Sequence, residues 1–245
     1  MFNRRSILSI ALASLALCGS AFAQEKAAKP LNILVYGGSG AIGSRIVAEA
    51  VARGHQVMIV DRSPKPEIAP KGVHVMKGDA FDSAEIGRNI VGADVLVTAV
   101  AVRPTPTRDF YVRLVKAAVD AQRAQKGKKT RYLVVGGASS LEVEPGKRVV
   151  DTLPSTLPEG TQNEIRSMVD ALDYLRTVKD TSWTFFSPAS SIAPGSRTGQ
   201  FRIGQDQLVV DAAGKSAISM EDYAVAMLNE IEKPQYVNKR FTVGY

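Results

Sequence analysis

The stretch Leu31–Gly43, LNILVYGGSGAIG, decides the fold because a short apolar run leads directly into four glycines. Residues 33–36 predict a buried β-strand, and residues 41–53 predict the α-helix that follows. Glycines let the backbone turn tightly and approach an anion, and a helix N-terminus presents free N–H groups and a partial positive charge. The stretch therefore predicts a cradle for a pyrophosphate, and two spacings fit it at once: Gly38-x-Gly40-x-x-Gly43 and Gly37-x-x-Gly40-x-x-Gly43.

The first residues have the pattern of an export signal. Arg4 and Arg5 precede an apolar segment at 7–17, and Ala21-Phe22-Ala23 has the small-x-small form of a cleavage site. We therefore expect a signal peptide over 1–23, and we expect the helices and strands of the fold to begin only after it. The paired arginines leave general secretory and twin-arginine export both open, so the expected location is periplasmic or secreted.

A polar tether at 24–30 is expected to lead into one NAD(P)-binding domain over 31–245. The single cysteine, Cys18, would leave with the signal, which excludes disulfides and thiolate chemistry in the mature chain. The formal net charge is +7, but the basic residues are spread out. The one tight run, Lys126–Arg131, suits a helix end. We therefore expect no nucleic-acid partner, no membrane span after cleavage, and no metal site.

After the tether, short apolar runs alternate with amphipathic stretches. The apolar runs are rich in Val, Ile and Leu and do not alternate with polar residues, which is typical of parallel strands covered by helices on both faces. The fold class is therefore α/β: a single Rossmann-like, doubly wound parallel sheet. Strands are expected at 31–36, 56–60, 73–76, 94–101, 131–136 and 182–187, and helices at 41–53, 83–90, 107–126 and 162–178.

The C-terminal part departs from strict alternation. A hairpin over 201–210, turning at Gln205-Asp206, a helix at 220–232 and a strand at 240–243 would form a small substrate-side extension. The stretch 136–160 has no clear period and reads as a long loop. Three capping boxes are expected to begin helices: Asp82-x-x-Glu85, Thr161-x-x-Glu164 and Ser219-x-x-Asp222.

The second strand ends in Asp61 and Arg62, where a dinucleotide fold meets the adenosine ribose. A carboxylate there accepts the ribose hydroxyls and repels a 2′-phosphate, which favours NAD(H). A guanidinium binds the 2′-phosphate, which favours NADP(H). Arg62 can also stack on adenine, so NADP(H) is favoured and NAD(H) remains possible. Asp79, after the third strand, is a candidate acceptor for the adenine amino group, although a turn aspartate is an equal alternative.

The later strands are expected to bring small residues and hydroxyls to the carboxyl edge of the sheet, where ligands of such folds bind. Ala99 and Val100 end the fourth strand and suit a backbone that passes close to the cofactor. Gly136 ends the fifth strand, and Ser139 and Ser140 follow it. A serine hydroxyl there could orient the nicotinamide carboxamide or polarise a substrate carbonyl, so both serines are candidate catalytic residues; turn chemistry is the alternative.

No Tyr-x-x-x-Lys pair is present: Val178 follows Tyr174, Val115 follows Tyr111 and Met227 follows Tyr223 at that spacing. The two histidines, His55 and His74, fall away from the expected site and are interpreted as structural. Reduction of an isolated ketone needs a proton donor, whereas a conjugated acceptor delocalises the added charge and can take its proton from water. The sequence therefore favours hydride transfer to a flavin-like or quinone-like acceptor.

These residues resemble the atypical short-chain dehydrogenase/reductases, in the branch described as NADH-flavin reductases, which are similar to biliverdin/flavin reductases and NmrA-like proteins. Seven segments and one further residue, Arg62, carry the resemblance: Val35–Gly43, Gly54–Val57, Val134–Leu141, Trp183–Ala189, Gly204–Asp211, Ile218–Ala224 and the ending Arg240–Val243. It covers essentially the whole chain after the signal.

The resemblance implies a nicotinamide-nucleotide fold without the Tyr-x-x-x-Lys pair. It places the pyrophosphate on the glycine loop and the first helical turn, at Gly37, Ser39, Gly40, Ala41 and Ile42 with Gly43. It places the 2′-phosphate side on Arg62 and the adenine on Asp79. The nicotinamide would lie near Ser139 or Ser140, with Pro188 on the cofactor side. Asp61 and the export signal depart from the family pattern. The alternatives are a non-catalytic NAD(P)-binding sensor or scaffold and, ranked below it, a sugar-nucleotide epimerase.

Overall fold

The computed structural model describes residues 29–101, 107–127 and 129–245. The predicted signal peptide at 1–23, Cys18 and the tether up to residue 28 lie outside the described residues. Within the described ranges, no helix combines the length and the apolar character needed to cross a bilayer.

One eight-stranded sheet organises the described chain, in the order β3-β2-β1-β4-β5-β8-β12-β10. Neighbouring strands run parallel except β10, which pairs antiparallel with β12. The chain order reverses between β1 and β4, so the crevice for a ligand opens there, at the carboxyl ends of the strands. The strands are β1 Asn32–Tyr36, β2 Gln56–Asp61, β3 His74–Lys77, β4 Val95–Thr98, β5 Arg131–Val135, β6 Glu142–Glu144, β7 Lys147–Arg148, β8 Trp183–Ser187, β9 Ser191–Ala193, β10 Arg202–Gly204, β11 Ala217–Ser219 and β12 Lys239–Gly244.

Five α-helices of the described ranges cover the two faces of the sheet, as the Rossmann-like prediction requires. One buried cluster packs α1 and α5 against one face, and a second packs α2, α3 and α4 against the other. Consecutive residues of β1 enter different clusters: Ile33 faces the first and Leu34 the second. Strands buried on both sides explain the unbroken apolar runs. The helices are α1 Ala41–Ala52, α2 Ser83–Asn89, α3 Phe110–Ala124, α4 Glu159–Thr177 and α5 Met220–Glu232.

The predicted hairpin at 201–210 is wrong. β10 pairs with β12, while Asp206 and Leu208 bond with Glu142: the Glu142 N–H donates to the Asp206 carbonyl at 2.8 Å, and the Leu208 N–H donates to the Glu142 carbonyl at 2.9 Å. A two-residue hairpin loop needs positive φ, which Gly or Asn supplies and Gln205-Asp206 does not. The stretch 136–160, predicted as a loop, also contains the antiparallel pair β6–β7.

The N-caps of two of the three predicted capping boxes are confirmed, but the reciprocal bonds of the boxes are not formed: the Glu85 carboxylate accepts from the Asp79 N–H at 3.1 Å, and the Asp222 carboxylate accepts from the N–H groups of Thr198 and Gly199. The Asp82 carboxylate accepts from the N–H groups of Ala84 and Glu85, and the Ser219 hydroxyl accepts from the Asp222 N–H. The third is wrong, because α4 begins at Glu159 with Pro158 as its N-cap, so Thr161 already lies inside the helix.

Candidate active site

The glycine loop after β1 is wedged between β4 and α1. Gly37 has φ +84°, and its N–H donates to the Val60 carbonyl at 3.0 Å. A Cβ on Gly37 would lie 2.5 Å from the Ala99 carbonyl oxygen, and a Cβ on Gly43 would lie 2.1 Å from the Gly37 carbonyl oxygen. Both positions therefore exclude a side chain in this conformation, and the loop lies directly over the first turn of α1.

The start of α1 has unused hydrogen-bond donors. Gly40 is its N-cap and supplies no side-chain cap, and the first turn carries no acidic residue. The N–H groups of Ala41, Ile42 and Gly43 precede the first possible intrahelical bond, since Ser44 is the first to donate, to Gly40 at 2.9 Å. The Ser39 hydroxyl is buried with no hydrogen-bond partner among the described residues. These donors fit the oxygens of a pyrophosphate.

A cleft of about 230 Å³ lies beside this loop, at the carboxyl ends of β1 to β4. Eight of the residues predicted to bind a cofactor line it together. They are Gly37, Ser39, Gly40, Asp61, Arg62, Asp79, Ala99 and Val100. Ala41, Ile42 and Gly43 occupy the adjoining helical turn. The roles of individual residues in binding stay predictions.

The side chains of Asp61 and Arg62 have different surroundings. The Asp61 carboxylate accepts from the Ser39 N–H at 3.0 Å and so ties the end of β2 to the glycine loop. Arg62 is exposed at the rim of the cleft and makes no ion pair within the described part of the chain. A guanidinium with no bound carboxylate remains available to an incoming phosphate.

The end of the cleft after β3 contains an aromatic side chain that the sequence analysis missed. Phe81 lines the cleft beside Asp79, whose carboxylate accepts from the Phe81 N–H at 3.0 Å. The Phe81 ring meets Phe110 edge to face at 4.9 Å, and the Arg113 guanidinium lies 5.2 Å from its centroid. Its position in the sequence, two residues after Asp79, could have indicated that it lines the cleft, because residues that follow a strand of such a sheet lie at the edge where ligands bind.

The predicted residues farther along the edge are buried in close packing. The Gly136 N–H donates to the Phe186 carbonyl at 2.8 Å, and a Cβ there would lie 2.1 Å from the Phe185 ring. Pro188 is buried, and its carbonyl accepts from the Thr242 hydroxyl at 3.5 Å. Gly136 follows β5, which lies next to β4, and Pro188 follows β8, one strand farther from β4; neither residue lines the cleft described above.

The two predicted catalytic serines lie on a 3₁₀ turn, 138–140, directly after β5. Ser139 is 8% exposed and its hydroxyl donates to the Ile165 carbonyl at 3.1 Å. Ser140 is 3% exposed and its hydroxyl accepts from the Arg240 guanidinium at 3.3 Å. Ser139 therefore ties the turn to α4, while Ser140 is tied to β12, and a catalytic role stays a prediction for either.

Two ionisable side chains that the sequence analysis did not select lie beside this edge. Tyr111 of α3 is 3% exposed, and its hydroxyl donates to the Val100 carbonyl at 3.4 Å. Burial raises the pKa of Tyr111 above its usual range, and the neighbouring Glu164 carboxylate raises it further. Glu164 of α4 is half-buried, and burial raises its pKa as well. Burial therefore shifts both groups toward their protonated forms relative to exposed side chains of the same type.

The histidines lie away from this edge. His55 is buried, where its Nδ1 accepts from the Leu31 N–H at 3.3 Å and its Nε2 donates to Glu232 at 3.0 Å. His74 is exposed on β3.

The family and three solved structures are similar to this chain. A family model described as NAD(P)H-binding matches residues 37–234. A candidate exported protein from Burkholderia pseudomallei is 42% identical, with 88% of this chain and 100% of that chain covered and a TM-score of 0.77. A candidate epimerase from Bacteroides thetaiotaomicron is 36% identical (89% and 98% covered, TM-score 0.76). A candidate NADH-flavin reductase from Streptococcus pneumoniae is 30% identical (87% and 99% covered, TM-score 0.74). This chain belongs to the NAD(P)H-binding family, among the atypical short-chain dehydrogenase/reductase-like proteins.

Proposed function

We propose that this chain is an NAD(P)H-dependent reductase that transfers hydride to a flavin-like or quinone-like acceptor. The observation that carries the proposal is the uncapped start of α1 beside the Ser39 hydroxyl, which has no hydrogen-bond partner in the described part of the chain; both lie at the cleft. A helix N-terminus and an unsatisfied buried hydroxyl together stabilise bound phosphate oxygens. A nicotinamide dinucleotide supplies the hydride when it is bound.

The residues of the cleft divide the work of holding that cofactor. The N–H groups of 41–43 and the Ser39 hydroxyl would bind the pyrophosphate. The carboxylate of Asp61 keeps the glycine loop in place through its bond to the Ser39 N–H at 3.0 Å. Phe81 and Asp79 would form the adenine end. These contacts fix the dinucleotide along the edge of the sheet, so that its reactive ring reaches the ends of β4 and β5.

NADP(H) is the favoured cofactor under this proposal. Arg62 is exposed at the cleft rim without an ion pair in the described chain, whereas one oxygen of Asp61 already accepts from the loop. A 2′-phosphate near both groups would gain a charge-assisted bond to Arg62 and would meet repulsion from Asp61. Because the Arg62 guanidinium has no ion pair among the described residues, we favour NADP(H), and NAD(H) remains the alternative.

A flat, conjugated acceptor fits the chemistry of the edge. The chain lacks a Tyr-x-x-x-Lys pair, so the reaction it serves best is one in which the acceptor delocalises the added charge. The similarity to the candidate NADH-flavin reductase from Streptococcus pneumoniae supports this class of acceptor. The similarity to the candidate exported protein supports a periplasmic or secreted location.

Spectrophotometry tests the proposal. Purified protein lacking residues 1–23 is mixed with NADPH or NADH and with FMN, riboflavin or a soluble quinone, and absorbance of the reduced nicotinamide is followed. We expect acceptor-dependent loss of absorbance, faster with NADPH. Saturable NADPH binding without oxidation by any acceptor would favour the sensor alternative and contradict the proposed reductase.

A further inference from the structure

A carboxylic acid beside the carboxyl ends of β4 and β5 has no assigned task. Glu164 lies in the second turn of α4 and is half-buried. Within the described ranges it makes no ion pair or hydrogen bond through its carboxylate. The start of α4 at Glu159 also removes it from the capping role that the sequence predicted. A half-buried acid that neither caps its helix nor forms a salt bridge is unusual, because burial of a carboxyl group needs compensation.

Three contacts hold this turn of α4 against the edge where the reactive ring of the cofactor is expected. The Ile165 carbonyl accepts from Ser139 at 3.1 Å, and Ser139 directly follows β5. The Ser167 hydroxyl accepts from the Tyr111 N–H at 2.8 Å. Met168 packs on Gly137, where an added Cβ would lie 3.3 Å from the Met168 Cγ.

Tyr111 connects this turn to the cleft itself. Its N–H donates to the hydroxyl of Ser167, three residues after Glu164 on α4, and its own hydroxyl donates to the carbonyl of Val100 in the cleft wall at 3.4 Å. Glu164 therefore belongs to the same small region as the ends of β4 and β5. We propose that Glu164 is the proton donor to the acceptor reduced at this site, an inference that rests on the proposed reductase function.

The proposed step balances as follows. A reduced nicotinamide dinucleotide is the reductant, and a conjugated flavin-like or quinone-like ring is the oxidant. The acceptor gains a hydride and its electron pair and so becomes an anion. The O–H bond of Glu164 then breaks, and its proton forms a new N–H or O–H bond on the reduced acceptor. The Glu164 carboxylate recovers a proton from water after product leaves. Because burial favours the protonated form of Glu164, the donor is ready at a higher pH than an exposed glutamate would be.

In the described part of the chain, the arginines that reach α4 from these neighbouring segments pair with Asp170 and Asp173 and not with Glu164. Among the described residues, α3 and the segment before it bring Tyr111 and Arg108, and Arg108 is paired with Asp170 at 2.6 Å. β7 brings Arg148, which is paired with Asp173 at 3.1 Å. The 138–140 turn brings only the hydroxyls of its two serines.

The test compares Glu164→Gln with Glu164→Asp and with Glu159→Gln, an exposed glutamate one turn earlier on the same helix. Glu164→Gln should lower kcat by about 100-fold, the scale of general acid catalysis, with the Kd for NADPH unchanged. Glu164→Asp should recover part of the rate, and Glu159→Gln should match the parent protein. The parent rate should fall as pH rises through the pKa of Glu164, and that fall should be absent in Glu164→Gln.

A readout without cofactor completes the test. In protein with ¹³C-labelled glutamate side chains, one carboxyl resonance should titrate above the usual glutamate range and should vanish in Glu164→Gln. An unchanged kcat in Glu164→Gln, while the parent protein reduces its acceptor, overturns the role of Glu164 alone. Absence of any turnover by the parent protein, despite NADPH binding, instead overturns the proposed function and this inference with it.

Discussion

Adding one methyl group at Gly43 should break the phosphate cradle. An alanine Cβ would lie 2.1 Å from the Gly37 carbonyl oxygen, 2.9 Å from its carbon and 3.0 Å from the Gly38 Cα. All three are backbone atoms, so no side-chain rotation relieves the contact. The glycine loop must therefore move by about 1 Å to restore ordinary contact, and overpacking of this kind costs about 1–3 kcal/mol.

The chain offers a matched control in Gly87, which lies inside α2 with no atom within 4 Å of its would-be Cβ. Alanine in a helix interior is favoured over glycine by about 0.5–1 kcal/mol, so Gly87→Ala should be neutral or stabilising. The same exchange at Gly43, also inside a helix, should lower the free energy of unfolding. Because a misplacement of about 1 Å can cost about 100-fold in function, the Kd for NADPH should rise by about 10- to 100-fold.

Chemical denaturation monitored by circular dichroism gives the free energy of unfolding, and quenching of intrinsic fluorescence gives the Kd for NADPH. We expect Gly43→Ala to lower the free energy of unfolding, whereas Gly87→Ala leaves it unchanged or raises it. We expect the Kd for NADPH to rise much more in Gly43→Ala than in Gly87→Ala. If Gly43→Ala kept both the stability and the NADPH affinity of the parent protein, the loop would not be held against α1 as described, and the cradle interpretation would fail.

Three further substitutions test separate parts of the structure. Arg62→Ala should weaken NADPH binding by about 1–3 kcal/mol, the scale of a lost charged hydrogen bond, and leave NADH binding unchanged in calorimetry; equal losses would refute its role at the 2′-phosphate. Asp206→Ala leaves the Arg240 guanidinium, whose side chain is 2% exposed, without its carboxylate; because the Asp206 side chain itself is 51% exposed, denaturation should show a loss of about 1.5–3 kcal/mol, the scale of a hydrogen bond to a charged group. Asp120→Ala, at an exposed pair with Arg123, is the control and should lose about 1 kcal/mol or less. Burial acts to raise the pKa of Asp222, but hydrogen bonds from Thr198, Gly199 and Tyr245 outweigh it and lower that pKa. The stabilisation from Asp222 should therefore be complete above about pH 4 and be lost as pH falls through its folded pKa, and melting of Asp222→Asn should lack that acid dependence.

The parallel strands could be predicted because each is buried on both faces and therefore leaves an unbroken apolar run. The predicted strand at 56–60 becomes β2 at Gln56–Asp61, and that at 182–187 becomes β8 at Trp183–Ser187. The glycine cradle could also be predicted, since its residues are contiguous and each glycine has a local steric reason. Both features depend on residues that lie close together along the chain, so the sequence alone is enough to predict them.

Pairing between distant segments could not be read in the same way. Arg202–Gly204 could extend a hairpin or join another strand, and only the position of β12 at the sheet edge decides the matter. Likewise, the bond between Asp61 and the Ser39 N–H joins residues 22 positions apart. A carboxylate at the end of β2 was predicted to accept the ribose hydroxyls, and the structure shows that one of its oxygens already accepts from the glycine loop.

Glu164 shows how a small error in a helix boundary changes a chemical conclusion. Thr161-x-x-Glu164 has the spacing of a capping box, and in that interpretation the carboxylate is consumed by a backbone N–H at the helix start. α4 instead begins at Glu159, so the first turn is formed by residues that the sequence assigned to the preceding loop. Glu164 then lies within the helix, three residues before Ser167, whose hydroxyl accepts from the Tyr111 N–H, and its carboxyl group forms no capping bond. The absence of a Tyr-x-x-x-Lys pair was therefore a sound observation, but it did not exclude an acid, because a proton donor at the sheet edge requires a position near β4 and β5 rather than a particular motif.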